Sequence, residues 1–400
     1  MGKNRKFLIA TQGDIISKKT TDVYFKRTVD ILSKKKKSKI VKAEFVAKHS
    51  PYGDWAVFSG LLEVMELLRD KKVNLYAMPE GTVFVPYEPV MVIEGDYIEF
   101  AEYETPLLGF ICQASGIATK AARMRKIAED KTLLSFGARR MHPAISPMIE
   151  RSAYIGGCDG VSTILAAEII GEEAKGTMPH SLVLLFEDTV EALKAYHEIV
   201  ERKIPRIALI DTFLDEKFEA IRVAEKAKEF LYGIRLDTPG SRRGNLKRII
   251  EEIRWEFKIR NLKNVKIFVS GGIDEEEIFT LRDVVDGFGV GTSLSNAKAI
   301  DFAMDIVEIE QRPIAKRGKR AGAKNVFICQ KCTHRRIGSL NEKPGKCKKC
   351  KGKEKALLEL LIKNGKVLKS PPKPQDIREY VISQLKENLP GISWEKRKEA

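Results

Sequence analysis

The sequence predicts an α/β fold in three parts. An N-terminal α/β domain spans residues 1–130, an incomplete β/α barrel spans 131–315, and a small basic four-cysteine lobe with a closing helix spans 316–400. Three observations carry this reading. From Thr132 onward, short apolar runs alternate with helical patterns, the rhythm of a parallel sheet. Two late runs, Val265–Ile273 and Asp286–Leu294, end in glycines and hydroxyls one crossover helix apart. Two C-x2-C pairs then follow in a lysine-rich stretch.

The first part lacks a regular strand–helix alternation. Thr20–Leu32 reads as an amphipathic helix that ends at the run Lys34–Lys39, a solvated loop. Lys42–Ala47 alternates as a strand, and Asp54–Arg69 reads as a helix with an apolar stripe. Val73–Phe100 mixes Pro, Gly and β-branched residues, as short strands with tight turns do. Thr105–Asp130 reads as a long helix with small residues at Ala114–Ala118. The strands of this part are free to associate with C-terminal segments.

In the second part seven runs read as strands: Thr132–Phe136, Gly157–Thr163, Ser181–Phe186, Arg206–Asp211, Gly233–Asp237, Val265–Ser270 and Gly287–Gly291. A closed barrel needs about eight, so the barrel is either incomplete or completed by a further strand outside these seven. Its last two strand ends carry Gly271, Gly272, Gly291 and Thr292. Glycine lets backbone N–H groups approach a phosphate with no Cβ in the way. Paired ends of this kind form the phosphate cradle of such barrels. Pro371–Pro374 marks a linker before a final helix, Gln375–Glu387.

The net charge of +16 comes almost wholly from one segment. Residues 316–355 hold 15 Lys/Arg against 2 Asp/Glu, which leaves the main body nearly neutral. Cys329 and Cys332, then Cys347 and Cys350, match a tetrahedral four-thiolate zinc site. The surrounding lysines favour the thiolates and offset their charge. Cys112 and Cys158 sit in apolar surroundings as core residues. No apolar run approaches the ~20 residues of a membrane span, and no signal-peptide core follows the N-terminus. A cytoplasmic protein without a membrane anchor is expected.

Polar residues gather where the barrel strands end, the active face of such a fold. Arg235 and Asp237 lie two apart on one strand and so share a face. They suit an anion together with a metal or ribose hydroxyls, a structural salt bridge being the alternative. Asp211 ends another strand, and His180 sits in a turn between Pro179 and Ser181. There is no Walker loop, no dinucleotide fingerprint followed by an acid and no type I phosphoribosyltransferase loop. A phosphate ligand would therefore rest on the barrel glycines.

Six segments in order resemble nicotinate phosphoribosyltransferase: Tyr103–Leu108, Ser135–Arg140, Gly176–Ser181, Leu236–Ser241, Val269–Ile273 and Gly289–Thr292. The cysteine-rich tail resembles archaeal members of that family, and the likeness runs from about Thr20 to Cys350. The resemblance implies the type II phosphoribosyltransferase fold. It implies transfer of phosphoribose from phosphoribosyl pyrophosphate, with Mg²⁺, to nicotinate, giving nicotinate mononucleotide and pyrophosphate.

It also implies site roles. Gly271, Gly272, Gly291 and Thr292 hold the 5′-phosphate, and Arg139 and Arg235 face anionic groups. Asp237 and Asp211 address Mg²⁺ or ribose hydroxyls, Phe136 stacks on the pyridine ring, and Thr177 and Ser241 join the substrate contacts. His180 falls on the family's phosphorylated histidine, which makes ATP a co-substrate. Tyr24 matches a ring-stacking tyrosine supplied by a neighbouring subunit, which implies a homodimer or higher homo-oligomer with shared sites.

The nearest rivals are quinolinate phosphoribosyltransferase, which shares architecture and needs a more basic pocket, and a nicotinamide-specific enzyme. A rival of another class is a zinc-containing nucleic-acid-binding protein. The basic segment offers only Phe327 for base stacking, so nucleic acid is not an expected partner.

Overall fold

The computed structural model describes residues 6–387. The chain forms two compact units: Lys120–Ala297 is the body of one, and the other joins the described residues up to Thr119 with those from Lys298 onward.

The discontinuous unit is built on a seven-stranded sheet. Its central strand is Pro89–Asp96, antiparallel to Ile40–Ala47, which in turn pairs antiparallel with Phe302–Ile309. Val73–Ala77 pairs with Pro89–Asp96 on one side and with Glu359–Lys363 on the other. Segments from both ends of the chain thus share one sheet. Phe45, Leu75, Met91 and Ile93 fill the core beneath it. The cysteine-bearing segment adds a three-stranded sheet of Arg335–Ser339, Lys324–Cys329 and Glu354–Ala356. Arg335 fastens it with a two-pronged bond to the buried Glu88, 2.8 Å at each prong.

The expected helix over Asp54–Arg69 is shorter. Ala56–Val57 forms a strand, and the helix covers only Leu61–Leu68. The break is Gly60, at φ +95°, where a Cβ would lie 2.3 Å from the Phe110 carbonyl oxygen.

The continuous unit holds six parallel strands: β1 (Thr132–Ser135), β2 (Gly160–Val161), β3 (Ile207–Leu209), β4 (Gly233–Leu236), β5 (Lys266–Ser270) and β6 (Gly287–Val290). Their spatial order is β2-β1-β6-β5-β4-β3. That is barrel order, open between β2 and β3. The strand expected at Ser181–Phe186 would have stood in the opening, but His180–Phe186 is a helix instead. Its six residues after His180 include one β-branched side chain, Val183, which is also the only one buried. The parallel strands Ile207–Leu209 and Gly287–Val290 bury every residue, as strands covered on both faces do; this run buries one, and its leucines favour a helix. Upstream, the Lys175 N–H donates to the Val161 carbonyl at 2.7 Å, so the chain runs beside β2 before turning.

Among the described residues, no helix is long and apolar enough to cross a membrane.

Candidate active site

The carboxyl ends of β3, β4 and β5 bring one charged group together. Arg235, near the end of β4, donates from Nη1 to Ser270 Oγ at 2.8 Å and from Nη2 to the Met178 carbonyl at 3.1 Å. Ser270, the last residue of β5, donates in turn to Asp237 Oδ1 at 2.7 Å. Asp237 Oδ2 lies 3.6 Å from His180 Nε2, and Asp211 Oδ2 lies 3.8 Å from the same nitrogen. His180 Nδ1 meets Thr212 Oγ1 at 3.1 Å. The sequence-derived residues His180, Asp211, Arg235 and Asp237 therefore form one network.

Its electrostatics are set by burial. Burial pushes the Asp211 carboxyl up, with His180 opposing and Asp237 adding a smaller push upward. Burial pulls the Arg235 guanidinium down, Asp237 and Asp211 draw it back up, and the positive charge of Arg139 lowers it further. Asp211 Oδ1 and Arg235 Nε are buried with no hydrogen-bond partner in the protein. Buried polar atoms are normally satisfied, so this orphaned acceptor and donor leave capacity for a ligand.

The glycine turn after β5 lies against this network. Gly271 and Gly272 have φ of +76° and +65°, and a Cβ on Gly271 would stand 3.0 Å from Asp237 Oδ1. Among the described residues, the backbone N–H groups of Gly272 and Ile273 make no backbone hydrogen bond within the protein. Gly291 and Thr292 open a short turn of helix, Thr292–Ser295, after β6. Arg139 and Arg140 are exposed on the turn after β1, and no ion-pair partner is recorded for either.

Other expected residues stand apart. Phe136 is half-buried with its ring against Gly289, where a Cβ would lie 2.5 Å from Cδ2. Thr177 is half-buried in the segment before His180, Ser241 is exposed in the turn Gly240–Arg243, and neither side chain makes a recorded hydrogen bond. Tyr24 belongs to the other unit, exposed on the helix Val23–Lys35. Sequence reasoning gave no role to Ser270 or to Arg243, although the hydroxyl preceding Gly271 was a visible signal for the first.

In the other unit the four sulfurs of Cys329, Cys332, Cys347 and Cys350 lie within 4.8 Å of one another. Backbone donors from Cys332 and Lys331 hold the Cys329 thiol down to about 6. The His334 amide pulls Cys332 down, but the Cys350 thiol, burial and the remaining thiols push it up to about 12. Four thiolates can share this space only around a cation.

An incomplete parallel barrel with a glycine turn, two carboxylates and a buried arginine at its strand ends is the arrangement of a phosphate-binding β/α barrel enzyme. The chain matches "Quinolinate phosphoribosyl transferase, N-terminal domain" over residues 22–115 and the C-terminal domain of the same family over 117–305. It belongs to the quinolinate phosphoribosyl transferase family.

A solved nicotinate-nucleotide pyrophosphorylase from Pyrococcus furiosus is 52% identical, with a TM-score of 0.93, covering 96% of this chain and 98% of that one. A nicotinate phosphoribosyltransferase of Mycobacterium tuberculosis is 35% identical over 246 residues, 58% of this chain and 51% of that protein. One from Bacillus subtilis is 32% identical over 245 residues, 59% of this chain and 49% of that protein. The chain spans about half the length of these curated relatives.

These findings correct the nicotinate assignment. The family matched in both domains is that of quinolinate phosphoribosyl transferase, and the pyrophosphorylase, at 52% identity, is matched along nearly the whole of both chains. Four of the six segments lie at barrel strand ends, while Tyr103–Leu108 and Gly176–Ser181 lead into helices; none of them separated the two substrates. ATP coupling through a phosphohistidine rested on the nicotinate resemblance alone and falls with it. The geometry gives a physical reason: a phosphoryl group on His180 Nε2 would set negative charge against Asp211 and Asp237.

Proposed function

We propose that this protein transfers phosphoribose from phosphoribosyl pyrophosphate to quinolinate, releasing pyrophosphate and CO₂ and leaving nicotinate mononucleotide, without ATP. The observation that carries the reading is the match to both quinolinate phosphoribosyl transferase domains in order. The full-length likeness to the Pyrococcus furiosus pyrophosphorylase supports it.

The ring nitrogen donates its lone pair to ribose C1 while the bond from C1 to the pyrophosphate oxygen breaks, that pair leaving with pyrophosphate. The carboxylate beside the ring nitrogen then departs as CO₂. Its bonding pair stays on the ring carbon next to the positive nitrogen and takes a proton from water. Charge changes sign around C1, so fixed charges and positioning supply most of the catalysis.

Quinolinate carries two carboxylates. Arg139 and Arg140, exposed and without recorded ion-pair partners, supply the cations it needs, and Phe136 flanks the ring. Gly271, Gly272, Gly291 and Thr292 cradle the 5′-phosphate with backbone N–H groups. Arg235 faces the anionic substrate, and His180 keeps Asp211 and Asp237 together. Thr177 and Ser241 join the substrate contacts.

Asp211 and Asp237 suit Mg²⁺: both are hard oxygen donors at neighbouring strand ends, and Asp211 Oδ1, which faces no protein donor, is free to serve it. Bound there, Mg²⁺ would neutralise charge on the departing pyrophosphate. The four cysteines suit Zn²⁺ in a structural role. Their recorded sulfur separations of 3.4 and 3.7 Å approach the ~3.8 Å edge of a tetrahedron with ~2.3 Å Zn–S bonds. We also assign a homodimer in which the partner subunit's Tyr24 closes the site. Exposed apolar side chains on Ile164–Ile170 and His180–Phe186, among them Leu165 and Leu185, support it by leaving surface for a second copy to cover.

The test is release of labelled CO₂ from quinolinate labelled at that carboxyl. Release that requires both phosphoribosyl pyrophosphate and Mg²⁺ is expected; none under any combination would refute the reading.

A further inference from the structure

We infer that Arg243 is a positioning residue for the phosphate cradle, setting the direction in which the glycine turn presents its N–H groups. The inference rests on the cradle reading above and goes beyond it, because it assigns the direction of the glycine N–H groups to a residue outside the glycine turn.

Arg243 sits in the turn after β4, with a side chain only 10% exposed. Each guanidinium nitrogen is committed. Nε donates to the Thr238 carbonyl at 3.2 Å, Nη2 donates to the Gly271 carbonyl, and Nη1 lies 3.5 Å from Glu277 Oε1. All three nitrogens of this largely buried guanidinium are thus engaged by the protein. Its work is to tie the strand-end turns of β4 and β5 together, with Glu277 balancing its charge.

The consequence follows from peptide geometry. The described peptide bonds are all trans, and in a trans peptide the C=O and the next N–H point in opposite directions. Holding the Gly271 carbonyl toward Arg243 therefore aims the Gly272 N–H away from it. Among the described residues, that N–H and the one of Ile273 make no backbone hydrogen bond within the protein. Two consecutive glycines at positive φ could take several conformations once released. One carbonyl hydrogen bond from a rigid fork selects among them. A lysine cannot replace the fork, since a single ammonium cannot serve three diverging partners.

The test compares wild type with Arg243→Lys, Arg243→Ala and Gly272→Ala, using ribose 5-phosphate as a probe of the cradle and steady-state kinetics on the whole protein. Arg243→Lys is expected to raise the Kd for ribose 5-phosphate and the KM for phosphoribosyl pyrophosphate together, by about tenfold. The kcat and the KM for the pyridine substrate should stay within about twofold. Added guanidinium ion should restore ribose 5-phosphate binding to Arg243→Ala. A purely structural residue would lower the melting temperature and leave the split between KM and kcat unmoved; that result overturns the inference. If Gly272→Ala weakens ribose 5-phosphate binding but Arg243→Lys does not, the Arg243 assignment alone fails. If Gly272→Ala changes nothing, the cradle fails and the inference with it.

Discussion

Ser270 donates its hydroxyl to Asp237 at 2.7 Å, joining the end of β5 to the residue that follows β4. The same hydroxyl accepts from Arg235, so one small side chain fixes an acid and a base whose direct separation is 3.8 Å. Ser270→Ala leaves Asp237 short of a donor and Arg235 short of an acceptor. A buried group left unsatisfied costs ~1–3 kcal/mol. We expect kcat/KM for phosphoribosyl pyrophosphate to fall by about 10- to 100-fold. The check is steady-state kinetics beside a melting curve, since the loss should exceed what unfolding explains.

Arg235 spans two acceptors, Ser270 Oγ and the Met178 carbonyl, and keeps Nε unpaired. Lysine retains charge but cannot reach both acceptors and a substrate anion at once. Arg235→Lys should therefore lose at least about 100-fold in kcat/KM while the protein stays folded. Near-normal kinetics in this variant would remove Arg235 from the site.

The cysteine cluster is expected to hold one zinc per chain, measured by elemental analysis. Cys350→Ser should lose the metal and lower the melting temperature. Prolonged chelation of the wild type should do the same. Metal binding at such sites is folding free energy, so an unchanged melting curve after metal loss would contradict a structural role.

Glu104, at the start of the helix Glu104–Ala128, is pushed up from 4.5 to about 7 by burial and the nearby Asp305, with Lys316 opposing. The folded state thus holds this proton more tightly than the unfolded chain. Its contribution to stability is full below 4.5 and is lost as pH rises through about 7. Glu104→Gln removes the ionisation. The variant should match wild type at about pH 5 and melt higher at about pH 8. The gain is about 1 kcal/mol after discounting for solvent screening. Melting temperatures across that range decide it; a variant equally destabilised at both ends would contradict the assignment.

Much of the site was legible because its chemistry is carried by short strand ends. Val265–Ser270 and Gly287–Val290 read as strands from apolar runs stopped by glycine, and the sheet places them side by side. Arg235 and Asp237 share a face because side chains alternate along β4. The cysteines read from spacing alone. What escaped the sequence depends on partners distant along the chain. Ser181–Phe186 is apolar without periodicity, and such a run fits a strand or a helix equally until burial decides. Arg243 bonds to main-chain carbonyls, which have no residue identity to read. The choice between a one-carboxylate and a two-carboxylate substrate was not legible, because one extra carboxylate calls on only one or two cations and the strand-end motifs are indifferent to it.

The most direct test of the account offers quinolinate and nicotinate separately, each with phosphoribosyl pyrophosphate and Mg²⁺, with and without ATP, and measures nicotinate mononucleotide. The account requires product from quinolinate, matched by CO₂ and unaffected by ATP. Product from nicotinate alone, accelerated by ATP, would contradict it.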